Sequence, residues 1–171
     1  MGLSLKAWIA AIWGLGGVYL LILYSIVKLA PRAWEALDAE PGFIHWAVAI
    51  INLIFMLYVE GYRGFQKSFA PRTVARAHFL FRNPNWRDLS LGPFFCMGYY
   101  RMNRRPRIGI YALTVMMIFF ILLLPMLPQP WRGALDLGVV IGLSYGIATL
   151  SFFTYHAFVR NDPRYSPEIP H

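Results

Sequence analysis

The stretch Ile108-Gly-Ile-Tyr-Ala-Leu-Thr-Val-Met-Met-Ile-Phe-Phe-Ile-Leu-Leu-Leu-Pro-Met-Leu127 holds no charged side chain in 20 consecutive positions. Crossing bilayer hydrocarbon takes roughly 20 apolar residues. A run of that length is helical, because lipid leaves each backbone N–H and C=O to be satisfied within its own segment. Outward from it, three more stretches have the same character: 7–29, 43–60 and 134–158. The 171-residue chain is 58% hydrophobic and only 14% charged, whereas soluble domains average about 25% charged. The expected fold class is an all-α integral membrane protein: one domain over 1–171 with four transmembrane helices at 7–29, 43–60, 108–127 and 134–158.

The segment just before Ile108 is of the opposite kind. Residues 61–107 carry ten Lys/Arg, ten aromatic rings and the single acid Asp88. Cations meet lipid phosphates and rings settle at headgroup level, so such a belt suits a membrane surface. With the N-terminus cytoplasmic, 13 of the 16 Lys/Arg fall inside, against Lys28, Arg32 and Arg132 outside. The positive-inside rule then predicts an N-in/C-in topology, in a bacterial inner (plasma) membrane or similar. Membrane lipids with anionic headgroups are the expected partners. No nucleic-acid-binding motif accompanies the basic residues, so nucleic acid is not expected. The first apolar run exceeds the 7–15 residues of a signal-peptide core, and the start lacks the residue a myristoylation signal needs; it reads as a retained anchor. A lone Cys96 excludes an intrachain disulfide and multi-cysteine metal or iron–sulfur sites.

Within 61–107 the sequence predicts finer structure. Val59-Glu-Gly-Tyr-Arg-Gly-Phe-Gln-Lys-Ser-Phe-Ala-Pro71 reads as an exit from the second helix. Pro71 opens an interfacial cytoplasmic helix, with Arg72 and Arg76 on one face and Val74, Ala77, His78 and Phe81 on another. Asn83-Pro84-Asn85 breaks it. The apolar piece Leu91–Tyr100 is too short to span, so it dips into the interface or packs beneath the bundle. Arg101, Arg104, Arg105 and Arg107 form a collar before the third helix. With Arg72 and Arg76 they are the candidate lipid- or anion-binding residues, each cation near an anionic leaflet contributing about 1 kcal/mol. The tail 159–171 is polar, holds Pro163, Pro167 and Pro170, and is expected to be extended.

Two constellations lie inside the spans. Ala134, Gly138, Gly142 and Gly146 recur every four residues, a groove that lets another helix approach closely. Its occupant is a helix of this chain by preference, otherwise a membrane-protein partner or a second copy. Ala10, Gly14 and Gly17 form a weaker counterpart on the first helix. On the face of Gly138, five turns on, stands His156, with Tyr145 and Thr149 close to the line. His45, Asn52 and Glu60 make a stripe on the second helix. Intramembrane ionisable groups usually face an interior partner. Glu60 and His156 are therefore the candidate polar site, with His78, Arg63 and Tyr62 nearby. Three readings stay open: Glu60 pairs with Arg63, or it helps recognise a headgroup or small polar molecule, or carboxylate and imidazoles hold a metal or pass protons.

No metal is assigned, because the chain has no His-x-x-x-His pair and its Glu-x-x-His lies in the tail. A haem held by His45 and His156 is unexpected, since these imidazoles fall on opposite sides of the membrane. No iron–sulfur or nucleotide motif, Gly-x-Ser-x-Gly elbow or zinc-protease helix is present, so the cofactor is unknown. The expected function is an accessory, structural or lipid-interacting component of a membrane complex. The alternative is a membrane-embedded enzyme or a small-molecule- or ion-binding protein using Glu60 and His156.

Overall fold

The computed structural model describes residues 5–38, 42–160 and 167. These are 88% helical, and no strand occurs among them. Four helices are long and apolar enough to cross a membrane, as the apolar runs predicted. The first, α1 (Leu5–Asp38), outlasts its predicted end and carries Pro31 internally.

The second long helix departs most from expectation. It does not end at Glu60 but runs from Phe43 to Arg82. Its first part is α2 (Phe43–Met56), its middle a π-helical segment (Leu57–Phe69) and its last part α3 (Ala70–Arg82). The predicted exit at 59–71 is thus a change of hydrogen-bonding ladder. The wider i→i+5 winding carries the glycines and hands over to α geometry at Ala70, where Ala70 N still donates to Phe65 O, and Pro71 follows in the first turn of α3.

Nor does α3 lie flat on a surface. Thr73 to His78 are all buried, because α3 is wedged against both α1 and α7 (Trp131–Phe158). After Asn83 come two short helices, α4 (Trp86–Ser90) and α5 (Gly92–Met97). Pro93 starts α5, and Gly98 ends it at φ 90, a left-handed conformation that favours glycine. Two bonds close that end: Gly98 N donates to Phe95 O and Tyr99 N to Phe94 O, both at 3.0 Å.

Of the two predictions for the short apolar piece, packing within the molecule is correct. α5 lies on the small-residue face of α1. A Cβ on Gly14 would meet Cys96 Sγ at 2.7 Å, and one on Gly92 would meet Trp13 Cδ1 at 2.7 Å and the Gly14 Cα at 3.1 Å. Pro93 fills the notch at Gly17. The backbones approach this closely only because both sides lack a side chain.

α7 is the hub. It runs antiparallel to α1, with the Tyr19 hydroxyl donating to Ser151 Oγ at 3.0 Å. Alongside it runs the Phe43–Arg82 helix, parallel to it: His45 stacks on Trp131 with ring centroids 4.4 Å apart at one end, and His78 meets Phe158 at 5.6 Å at the other. The Leu5, Arg82 and Phe158 ends therefore gather on one side of the bundle. The core is built of Val18, Val74, Leu80, Phe95, Leu143 and Leu150.

The remaining span, α6 (Arg104–Leu123), buries none of its residues. It is tied at its N-terminal half, where the Tyr99 and Thr114 hydroxyls are 2.8 Å apart and the Tyr111 hydroxyl donates to Tyr99 O at 3.0 Å. Beyond it the chain returns to the bundle at Gln129, which donates to Arg32 O at 3.5 Å and accepts from Gly133 N at 3.1 Å, capping α7. Three spans thus pack together with α5 inserted among them, and one span stands apart. Residues 39–41 of the predicted outer loop, and 161–166 and 168–171 of the tail, lie outside the described residues.

Candidate functional site

The glycine groove on α7 is filled from within the chain. Asn52 and Met56 pack on Gly138, Glu60 on Gly142 and Phe65 on Gly146. Asn52 Nδ2 donates to Ala134 O and Leu135 O, each at 3.2 Å. The seam continues with Gly61 against the Tyr145 ring and the Tyr145 hydroxyl donating to Gln66 Oε1. Of the occupants considered for Ala134, Gly138, Gly142 and Gly146, a helix of this chain is the correct one.

This packing separates Glu60 from His156. The Glu60 Oε2 lies 3.0 Å from where a Gly142 Cβ would stand. His156 is fourteen residues further along α7, about 21 Å at 1.5 Å per residue. The expectation of a shared depth rested on Glu60 ending its helix. Because that helix continues to Arg82, Glu60 lies in its middle instead. His156 is buried near the Phe158 end, with Phe152 at 4.5 Å between ring centroids and its Nδ1 without a hydrogen-bond partner.

The other residues of the candidate polar site are scattered too. His78 is buried on α3, its ring 6.3 Å from that of Phe81. Arg63 and Tyr62 are exposed. Tyr62 stacks on Tyr58 at 6.0 Å and carries Lys67 Nζ 4.6 Å above its ring. Glu60 has no ion pair with Arg63: among the described residues its carboxyl has neither an ion pair nor a hydrogen bond. His45 and His156 lie at opposite ends of α7.

The predicted anion-binding arginines divide sharply. Arg76 is fully buried. Its Nε donates to Phe95 O at 2.6 Å, its Nη2 to Tyr100 O at 2.7 Å and its Nη1 to Pro167 O at 2.9 Å, and both terminal nitrogens reach Arg101 O at 3.2 Å. The guanidinium also lies 4.2 Å from the Phe95 ring centroid. It gathers carbonyls at the C-terminal end of α5, where the helix dipole is negative. Arg76 is therefore an internal tie, not a lipid contact.

Arg72 is half-buried and donates to Ser68 O at 2.8 Å and Ser68 Oγ at 2.5 Å. Arg101 pairs with Asp88 at 2.5 Å, and that carboxylate, 1% exposed, also accepts from the Tyr100 hydroxyl at 2.8 Å. Burial and the bond to Asp88 push the Tyr100 phenol well above its ordinary value. Arg104 and Arg105, exposed, and Arg107, half-exposed, remain at the start of α6.

Three features escaped the sequence reading. The single acid of the basic segment, Asp88, is a buried anchor that neutralises Arg101. At the opposite end, Asp136 is 1% exposed with Arg132 Nε 3.8 Å away. Its position four residues after Arg132 was a readable signal for that pair. The third is the π winding around Glu60, for which the sequence carries no clear signal beyond Gly61 and Gly64. Among the described residues no three His, Cys, Asp or Glu side chains converge as metal ligands. Comparison with protein-family models, with curated proteins and with solved structures returns no match.

Proposed function

We propose that this chain is a small accessory protein of a membrane, N-in and C-in in a bacterial inner membrane, whose working parts are α6 and the arginines at its start. The carrying observation is that α6 is a 20-residue span with no buried residue, beginning at arginines that make no bond to the bundle in the described residues. Every other span is committed to intramolecular packing. Anionic headgroups supply the charge that Arg104, Arg105 and Arg107 lack, and acyl chains cover α6 beyond its tie to Tyr99.

The test compares lipid retention by native mass spectrometry after extraction from vesicles of mixed anionic and zwitterionic phospholipid. Arg104→Ala/Arg105→Ala/Arg107→Ala is expected to lose bound anionic lipid while keeping the wild-type melting temperature. Equal retention by the triple variant would remove the basis for this reading. Catalysis by a joint Glu60/His156 site has no geometric support, because the two groups are a helix half-length apart.

A further inference from the structure

Glu60 belongs to no pair or cap, and it stands half-buried in the seam with α7. Gly142, which it faces, is eleven residues from the Trp131 start of α7 and sixteen from its Phe158 end. At 1.5 Å per residue this puts the carboxyl about 16 Å from one end and about 24 Å from the other. In a hydrocarbon core about 30 Å thick, that is the apolar interior. The neighbours along the seam are Met56, Gly142 and the Tyr145 ring against Gly61.

No described cation compensates the carboxyl. On its own segment Arg63 and Lys67 are exposed, with Lys67 over the outward-facing Tyr62 ring. From α7 the titratable groups on that face are Tyr145, whose hydroxyl is given to Gln66, and His156, about 21 Å away. From α2 it is His45, stacked on Trp131 at the far end. From α3, Arg72 and Arg76 are bonded elsewhere. Asp136, a buried acid on α7, differs in having Arg132 beside it.

An ionised carboxylate in hydrocarbon without a partner is far costlier than the neutral acid, so such a group keeps its proton. π-helical segments inside α-helices recur at functional sites, and here one carries this carboxyl. We propose that Glu60 is a proton-binding site in the middle of the membrane, a neutral carboxylic acid that exchanges its proton through the polar α2/α7 seam. On release the Glu60 O–H bond breaks, the proton passes to water and the carboxylate remains facing Gly142. Asn52 on one side of it and the Gln66–Tyr145 pair on the other are the polar groups able to lead water to it. Their seam is the same one that packs the two helices.

Infrared spectroscopy of the wild-type protein in vesicles tests this. A carboxylic-acid C=O stretching band is expected at neutral pH. It should vanish in strong alkali, be missing in Glu60→Gln and persist in Asp136→Asn. Absence of the band from the wild type at neutral pH, or its loss in Asp136→Asn alone, overturns the proposal. Should Glu60→Gln fail to fold, a hydrophobic carbodiimide, which attacks protonated carboxyls in lipid, makes the assignment on the wild type. An adduct mapped to Glu60 is expected, and adducts mapped elsewhere with Glu60 unmodified overturn the assignment.

Discussion

Substitution of Arg76 separates two roles that arginines share in a membrane protein. Arg104 and Arg105 meet the outside, and their removal is expected to leave stability almost unchanged, within about 0.5 kcal/mol. Arg76 holds carbonyls of Phe95, Tyr100, Arg101 and Pro167. Each bond to a charged group contributes about 1.5–3 kcal/mol, and truncation leaves buried acceptors unpaired. Arg76→Met is expected to destabilise by about 3–5 kcal/mol, read as a large fall in melting temperature in detergent. Arg76→Lys recovers only part of it, since an ammonium lacks the planar fork that reaches several carbonyls at once. Cys96, on α5 below, is 1% exposed, and burial pushes its thiol from 9.0 up to about 12, a rise that nearby Arg76 partly opposes. A maleimide is expected to leave the folded protein unlabelled at neutral pH and to label it fully in denaturing detergent.

α5 stays in place because α1 offers no side chain at Gly14 and Gly17. A leucine at Gly14 collides with Cys96 and the Gly92 backbone, and overpacking of this kind costs about 1–3 kcal/mol. Gly14→Leu is therefore expected to dislodge α5 and make Cys96 reactive to maleimide without unfolding the spans. Labelling kinetics together with retained helical circular dichroism check both halves of this outcome. On the other face of the molecule, Gly142→Leu pushes into the Glu60 carboxyl, where the nearest atom already stands at 3.0 Å from an added Cβ. It acts on a seam inside the chain. Its expected signature is a lowered melting temperature, not loss of a partner.

At the level of the whole molecule, α7 organises every packed span and α6 is left outside. A helix facing lipid all round shows no periodicity in accessibility, whereas one buried on one side shows the 3.6-residue wave. Spin labels placed singly along residues 115–123 are expected to show uniform lipid exposure, and those along residues 134–150 of α7 a strong periodic signal. A wave along α6 would mean that it packs on the bundle, and the proposed lipid-facing role would fall. All four spans were legible, and two of them nearly to their ends, because a long uncharged run has few alternatives to a helix. The α7 groove at Gly138, Gly142 and Gly146 was legible as well, since small-residue spacing is a local property. Glu60 and His156 were placed at one depth by a mistaken helix end at Glu60, and a single wrong boundary moved the candidate site by about 21 Å.

What the amino-acid sequence determined by itself is therefore the class of fold, the four apolar stretches and the small-residue faces of α1 and α7. These follow from composition and spacing along one helix, with no need for a neighbour. The tertiary structure decided which partner fills each face, that the Phe43–Arg82 helix continues through Pro71, that Arg76 is an internal tie and that Glu60 stands alone. Each depends on what lies across a helix–helix seam, and the energy of an arginine or a carboxyl is fixed by those surroundings. The same side chain serves as a lipid contact in one setting and as a carbonyl clasp in another.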